Sequence, residues 1–356
     1  MLKVNTPNEP LIGSLGGWPA LLDQVVAGKD LTVAQGHAAL SDILAGRATD
    51  AQLAGLLVGL RMKGEAPSEL VGLARAMLDA AQPLTLPPGT VDLVGTGGSI
   101  RRRKHALNVS TMASFVAAGA GASVCKHGNK KASSTSGSFD FLDSLGIGIG
   151  IEPERLEQCV GSVGIGFAFA RTFHPAMRFV GPARSQLGIQ TIFNYLGPLV
   201  HPGRPAFQVI GVSSIELASK MADAVAKLDV QRAWVVAGHR GYDELTLSGP
   251  SHVFDVSADG IAELEIRCED GGLTPVTSTD GLAGGNGMRN VEIFSEILSG
   301  EEKGPKRDIV VLNAAAALVV AGHAGSLSEG VELSIEAIEG GNVTKKVEDL
   351  KAFVQG

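Results

Sequence analysis

Apolar residues recur at helical spacing over residues 18–81. The leucines of AQLAGLLVGLRMKG (51–64) share one helix face, and the final glycine of that segment is a typical C-cap. Thr-x-x-Gln patterns at 32–35 and 49–52 predict capping boxes at two helix starts. The first part of the chain is therefore predicted to be a bundle of four helices.

Residues 82–89 are rich in proline and glycine and interrupt this pattern. Short apolar runs then predict buried strands at 91–94, 122–125, 207–212 and 233–237, with helices near 110–120, 214–227 and 307–322. Residues 252–276 alternate apolar and polar side chains, which favours antiparallel strands. The predicted fold class is α/β, with a mainly parallel central sheet and an antiparallel excursion. We place a helical domain at 1–88, joined by helices from about 151–190, and an α/β domain at 89–356.

Composition narrows the possible functions. The 356 residues carry a net charge of −7, which argues against general nucleic-acid binding. The three cysteines, Cys125, Cys159 and Cys268, are too far apart for a metal motif and are expected to be buried free thiols. No apolar run has the length of a membrane span, and the N-terminus lacks a signal-peptide core, so we expect a cytoplasmic protein.

The glycine-rich segment 95–98 follows the first predicted strand and precedes a helix. Glycines there allow close approach of the backbone, and a helix N-terminus favours anions. Asn108, Ser110 and Thr111 add polar side chains. The segment matches neither the dinucleotide fingerprint nor the P-loop, so the residues alone leave open a phosphate site or a plain strand–helix turn.

Three further segments carry possible chemistry. Residues 126–138, KHGNKKASSTSGS, combine cations, an imidazole, an amide and hydroxyls after a strand, which suits a phosphorylated, hydroxyl-rich ligand or a polar surface loop. Asp243 and Glu244 follow another strand and could hold Mg²⁺ or lie in a solvated loop. Arg184 could bind a substrate carboxylate through two hydrogen bonds or form a surface ion pair.

Taken in order, these segments resemble the anthranilate phosphoribosyltransferase family over residues 18–325. The segments are AQLAGLLVGLRMKGE, DLVGTGG, NVST, KHGNKKASSTSGSFDFLDSLG, FHPAMR, FNYLGPLVHP, DEL and RDIVVLNAAAAL. The class II nucleoside phosphorylases resemble the family in architecture, but their signatures match this chain less well. The resemblance implies a homodimer formed through the helical domain. It also implies transfer of ribose 5-phosphate from phosphoribosyl pyrophosphate (PRPP) to the amine of anthranilate, with Mg²⁺, in tryptophan biosynthesis.

The resemblance also implies roles for individual residues. PRPP would contact Gly95, Thr96, Gly97, Gly98, Asn108, Ser110, Thr111, Lys126 and Ser138. Anthranilate would contact His127, Asn129, His174, Arg184 and Pro198. Mg²⁺ would be held by Ser110, Ser138, Asp243 and Glu244, and the catalytic residues would be Lys126, His127 and Arg184.

The chain departs from the family pattern on the PRPP side. Ser99 stands where an acidic residue is expected, Ala106 replaces a usual threonine, and the loop at 99–107 is about three residues longer. The loop contains four consecutive cations at 101–104, which we expect either to bind phosphates directly or to lie in a mobile loop that closes on PRPP. His239 and Arg240 precede the DE pair where the family has acidic residues.

These departures leave two alternatives to the implied reaction. The first is a paralogue that phosphoribosylates another aromatic acceptor. The second is a non-catalytic family member that binds nucleic acid through residues 101–104, against which the net charge argues.

Overall fold

The four helices predicted at the start of the chain are present in the computed structural model, which describes residues 11–97, 107–130, 136–148 and 150–356. Both capping boxes form, with the hydroxyls of Thr32 and Thr49 accepting the backbone N–H groups of Gln35 and Gln52. Gly64 follows the third helix with φ at +85°, which glycine adopts without strain. The helices are α1 (Gly17–Val26), α2 (Val33–Leu44), α3 (Asp50–Lys63) and α4 (Pro67–Asp79).

A seven-stranded sheet forms the centre of the α/β region. The strands are β1 (Val91–Gly95), β2 (Val124–Gly128), β3 (Ile165–Phe169), β4 (Phe207–Gly211), β5 (Arg232–Ala237), β6 (Ser251–Ser257) and β7 (Gly260–Ile266). Their spatial order is β3-β2-β1-β4-β5-β6-β7, parallel from β3 to β5 and antiparallel at β6 and β7. The predicted fold class is therefore confirmed.

The remaining helices are α5 (Val109–Gly119), α6 (Ser138–Leu145), α7 (Pro153–Val163), α8 (Ala170–Phe173), α9 (Gly181–Leu187), α10 (Phe193–Leu196), α11 (Ile215–Val225), α12 (Gly287–Ser299), α13 (Pro305–Val320), α14 (Leu327–Glu339) and α15 (Asn342–Gln355). Of these, α5, α7, α8, α11, α13 and α15 pack directly on the sheet. Helix α13 is buried at every residue from Ile309 to Val320, which explains why it is apolar on all sides. Among the described residues, no helix has the combination of length and apolar character needed to cross a membrane.

The strand predicted at 122–125 begins later and ends later in the structure. It is β2, which starts at Val124 and includes Lys126 and His127. These polar residues are buried within the strand. A prediction based on apolar runs therefore ends this strand three residues too early, at Cys125.

Strand β3 is absent from the sequence-based prediction, because Gly166 interrupts a short apolar run. In the structure a Cβ on Gly166 would lie 2.6 Å from side-chain atoms of Leu156 and Val160 on α7. Glycine is thus required for close packing of this helix on the sheet.

At the opposite edge of the sheet, the alternating pattern of 252–276 predicts strand as far as residue 276. The antiparallel pair instead ends at Ile266, and a 3₁₀ turn at Cys268–Gly271 follows.

The segment 151–190 divides between two environments. Helix α7 contacts β3 and α15. Val180 and Ala183 instead belong to the apolar core that includes Leu56 and Leu57 of α3. Only the second half of the segment thus packs with the N-terminal helices, and the domain boundary at residue 88 stays a prediction.

Candidate active site

The polar segments of the sequence meet where the strand order reverses. The chain passes from β1 outward to β2 and β3, and later from β4 outward to β5, so β1 and β4 flank the reversal. In such sheets ligands bind at the carboxyl ends of the strands around this point. Gly95, Gly128 and Gly211 end β1, β2 and β4 there.

An open cleft of about 640 Å³ lies at this edge and contains most of the residues expected to bind the aromatic acid. His127, Asn129, His174 and Arg184 all line it, together with Gly95 from the glycine-rich turn. Pro198 does not belong to the lining. It is buried, and its carbonyl accepts a hydrogen bond from Gln208 Nε2 at 3.1 Å, while its neighbour Gly197 lines the cleft.

Two buried histidines present unpaired nitrogens at the cleft. The Nδ1 of His127 is 3.2 Å from the carbonyl of Gly197, so this nitrogen carries the proton and Nε2 is an acceptor. The ring of His174 lies 5.4 Å from that of His127, and its Nε2 is buried without a hydrogen-bond partner. Burial, reinforced by His174, holds the pKa of His127 well below its usual value. Burial lowers the pKa of His174 to about 4, so both rings are neutral at pH 7.

His201 supports this pair and is missing from the predicted site. Its ring lies 5.6 Å from that of His127. Its Nδ1 accepts the N–H of Gly203 at 3.0 Å, which leaves Nε2 to donate to the Cys125 carbonyl at 2.9 Å. Burial lowers the pKa of His201 to about 4. The signal in the sequence is the His-Pro pair that follows FNYLGPLV.

Arg184 is oriented by an aromatic ring. Its guanidinium lies 5.2 Å from the ring centroid of Phe193, also a cleft residue, in a cation–π arrangement. Burial lowers the pKa of Arg184, but a guanidinium keeps its charge at neutral pH. Arg171 and Arg178 also line the cleft, beyond the predicted site residues. A substrate carboxylate would therefore enter a positively charged cleft.

The glycine-rich turn is bound directly to the DE pair. The N–H of Gly97 donates to Asp243 Oδ2 at 3.1 Å. A Cβ on Gly95 would lie 2.5 Å from the same carboxylate oxygen, and a Cβ on Gly211 would overlap the Asp243 carbonyl. Both glycines are thus needed for the close approach of three chain segments. Gly98 lies outside the described residues, as does the basic run at 101–104.

Asp243 and Glu244 suit a hard divalent cation. Both residues are buried at the carboxyl end of the sheet, and Asp243 contacts the turn expected to bind pyrophosphate. Within the described ranges, no three His, Cys, Asp or Glu side chains converge to hold a metal. Mg²⁺ commonly uses one or two carboxylates and takes its other oxygens from substrate phosphates and water. These two carboxylates therefore fit a metal ion that arrives bound to the phosphates of a substrate.

The N-termini of α5 and α6 are joined by side-chain hydrogen bonds. Asn108 Oδ1 accepts from Ser136 Oγ at 3.0 Å and from Asn290 Nδ2 at 2.6 Å. Ser138 begins α6, and Ser110 lies in the first turn of α5. Both expected ligands are therefore placed where unpaired helix N–H groups favour phosphate. Thr111 is almost completely buried. The hydrogen bond from Asn290 to Asn108 could not be predicted from the sequence, because the two residues are far apart in it.

Asp92 is a buried carboxylate that the predicted site omits. It lies in β1 with no exposed surface, and its Oδ1 accepts the N–H of His127 at 3.1 Å. Burial raises the pKa of Asp92 to about 7, and the charge of Lys126 opposes this shift. Lys126 is buried as well, and its Nζ donates to the carbonyl of Leu93. The signal in the sequence is a charged residue inside the apolar run VDLV.

Lys130, next to the cleft residue Asn129, forms an ion pair. Lys130 Nζ lies 2.7 Å from Asp143 Oδ2. A phosphate site at this position would have to compete with that ion pair.

All three cysteines are free and buried, as expected from their spacing.

Two family models match the chain. One is described as the α/β domain of a glycosyl transferase family and matches residues 87–344. The other is the helical bundle domain of the same family and matches residues 19–81. Among curated proteins, the anthranilate phosphoribosyltransferase of Roseiflexus castenholzii is 47% identical over 92% of this chain and 95% of its own. That of Chloroflexus aurantiacus is 45% identical over 93% and 97%.

Solved structures agree with these matches. Anthranilate phosphoribosyltransferase from Thermus thermophilus has a TM-score of 0.87 and 39% identity, covering 94% of this chain and 99% of its own. The Saccharomyces cerevisiae enzyme in complex with PRPP and Mg has a TM-score of 0.86 and 27% identity, covering 95% and 98%. Fold, order of motifs and sequence identity agree along nearly the whole chain. The chain therefore belongs to the anthranilate phosphoribosyltransferases within this glycosyl transferase family.

Proposed function

We propose that the protein transfers ribose 5-phosphate from PRPP to the amine of anthranilate and releases pyrophosphate, a step of tryptophan biosynthesis. One observation carries this proposal. Gly95, whose turn is hydrogen-bonded to Asp243, lines the same cleft as Arg184. An anion-binding turn and a carboxylate-binding arginine therefore face one space. The relatives named above support the reaction, as does the yeast enzyme in complex with 4-fluoroanthranilate.

The acceptor would bind between Arg184 and the histidines. The guanidinium of Arg184 pairs with the carboxylate, and Met177, Phe193 and Leu196 provide apolar surface for the ring. The Nε2 lone pair of His127 accepts an N–H of the amine and aims the nitrogen lone pair at the donor. Asn129 adds a polar side chain at the same wall. Positioning of this kind can account for a large part of the rate.

The donor would bind against the glycine-rich turn. The N-terminus of α5 supplies N–H groups for its phosphates. The turn itself permits close approach of the donor, because its Thr96 and Gly97 N–H groups are already bonded to the Gly211 carbonyl and to Asp243. Lys126 supplies a cation, and Asp243 and Glu244 would hold Mg²⁺, which neutralises charge on the pyrophosphate. This assignment is supported by the hydrogen bond between Gly97 and Asp243.

In the reaction the C1–oxygen bond breaks, and its electron pair leaves with pyrophosphate. The amine lone pair forms the new C1–nitrogen bond. The resulting ammonium is strongly acidic, so a weak base is sufficient to take its proton. His127 Nε2 is an acceptor in the cleft and would take this proton before passing it to solvent. Lys126 and the turn stabilise the charge that develops on the leaving group.

A steady-state assay tests the proposal. Purified protein with PRPP, anthranilate and Mg²⁺ should convert anthranilate to its phosphoribosyl product, followed by the change in anthranilate fluorescence. The rate should vanish in EDTA and return with Mg²⁺. No turnover at any Mg²⁺ concentration would overturn the proposal, and faster turnover of another aromatic amine would replace anthranilate as acceptor.

We also propose that the protein is a cytoplasmic homodimer formed through the helical domain. Val26 and Met62, at the ends of α1 and α3, are more than four-fifths exposed, which supports an apolar contact on this surface. Light scattering should give twice the chain mass, and Met62→Glu should shift it towards the monomer. A monomeric wild-type protein at micromolar concentration would contradict this.

A further inference from the structure

The two strands that carry Asp92 and Lys126 pair unusually little. Along these fully described strands, the pairing of β1 with β2 is confined to Val91 and Val124. On its other side, β1 pairs with β4 along its whole length, from Val91 to Gly95. Beyond the first pair, the backbone groups between β1 and β2 therefore need other hydrogen-bond partners.

Side chains provide two of those partners. Asp92 Oδ1 accepts the N–H of His127, which belongs to β2. Lys126 Nζ donates to the carbonyl of Leu93, which belongs to β1. Each strand thus sends one charged side chain to a backbone group of the other. These two bonds replace ladder hydrogen bonds at the level where β1 and β2 reach the cleft.

This arrangement is costly for folding alone. Asp92 has no exposed surface, and its Oδ2 is buried without a hydrogen-bond partner. A carboxylate in such a position is destabilised unless a cation lies close by, and Lys126 is the cation that acts on it. An apolar residue with continuous pairing of β1 and β2 would satisfy the fold at lower cost. Charged pairs that persist in such places are often found at functional sites.

We propose that Asp92 is a positioning residue for phosphoribosyl transfer, which holds the Lys126 ammonium for the donor and the His127 backbone for the acceptor. The inference rests on the proposed function, both for the reaction and for the PRPP site. Asp92 touches neither substrate. It acts because its charge keeps Lys126 between the strands, and because its Oδ1 fixes the start of the segment that carries the His127 ring.

A double-mutant cycle tests this proposal. Asp92→Asn keeps the oxygen that accepts the His127 N–H but removes the charge opposite Lys126. PRPP binding is measured with Mg²⁺ by calorimetry at pH 8.5, above the pKa of about 7 of Asp92, so that its carboxylate is ionised. KM and kcat are measured at the same pH where turnover occurs. Asp92→Asn should weaken PRPP binding by about tenfold, the scale of one charged hydrogen bond. In the Lys126→Met background the same change should alter binding by less than about twofold.

Glu69→Gln is the matched control. Glu69 is also a fully buried carboxylate that accepts backbone N–H groups, from Leu31 and Ala66, and pairs with a buried lysine, Lys63. It lies in the helical bundle, so Glu69→Gln should lower Tm without changing PRPP affinity.

Two results would overturn the role of Asp92. One is PRPP affinity unchanged by Asp92→Asn. The other is an equal loss with and without Lys126, which would indicate a purely structural effect. The calorimetric cycle needs no turnover, so a failure of the proposed reaction is recognised separately.

Discussion

Gly95→Ala is expected to impair Mg²⁺-dependent activity by displacing the Asp243 carboxylate. Gly95 does not have a positive φ, so alanine fits its backbone without strain. The added methyl group, however, would lie 2.5 Å from Asp243 Oδ2. A normal contact needs at least 3.4 Å, so the carboxylate must move by about 0.9 Å. This shift also disrupts the 3.1 Å hydrogen bond from Gly97.

The expected kinetic effect follows from that displacement. A misplacement of about 1 Å in a reacting assembly costs on the order of 100-fold in rate. We expect kcat/KM for PRPP to fall by about that factor at fixed Mg²⁺, with a higher Mg²⁺ concentration at half-maximal rate. The assay is the initial rate of anthranilate consumption across a Mg²⁺ titration.

Two comparisons make the result interpretable. In the Asp243→Ala background the clash is absent, because the nearest remaining atom is the Asp243 carbonyl oxygen at 3.5 Å, so Gly95→Ala should change the residual rate less than about twofold. Gly161→Ala, in α7 with nothing within 4 Å of its Cβ, should leave the rate unchanged and stabilise the helix by up to about 1 kcal/mol. Wild-type Mg²⁺ dependence in Gly95→Ala would refute the steric reasoning, as would an equal loss in the absence of the Asp243 carboxylate.

Three further outcomes are expected. Arg184→Lys should raise KM for anthranilate about tenfold and leave KM for PRPP unchanged, because a single ammonium cannot make the two-point contact; equal changes in both KM values would contradict this. Burial lowers the pKa values of His174 and His201 from 6.5 to about 4, so the unfolded chain takes up protons first as pH falls. The contribution of each ring to the free energy of unfolding is then fully present above pH 6.5 and is lost as pH falls towards 4, by on the order of 3 kcal/mol per ring. A flat profile of unfolding free energy against pH, measured by urea titration, would refute this. Lys63→Met leaves the fully buried Glu69 carboxylate without its cation and should cost about 3–5 kcal/mol, measured by urea unfolding; a loss below about 1 kcal/mol would contradict this.

Much of this molecule is determined by local sequence. The capping boxes at Thr32 and Thr49 form because an N-cap hydroxyl and a residue three positions later meet in any helix. The strand ending in Gly95 and its turn were predictable for the same reason, since apolar runs and glycines act within a few residues. The order of motifs also indicates which segments belong to one site.

Contacts between distant segments required the tertiary structure. Gly95 is needed because Asp243 approaches it from the loop between β5 and β6, and nothing near Gly95 in the sequence indicates this. Asp92 is fixed by hydrogen bonding across strands, and Gly166 is needed where α7 packs on β3. The neutral state of His174 likewise results from burial, which the sequence does not specify. Periodicity encodes elements because its forces are local, whereas burial, close approach and charge compensation depend on which elements meet in the folded protein.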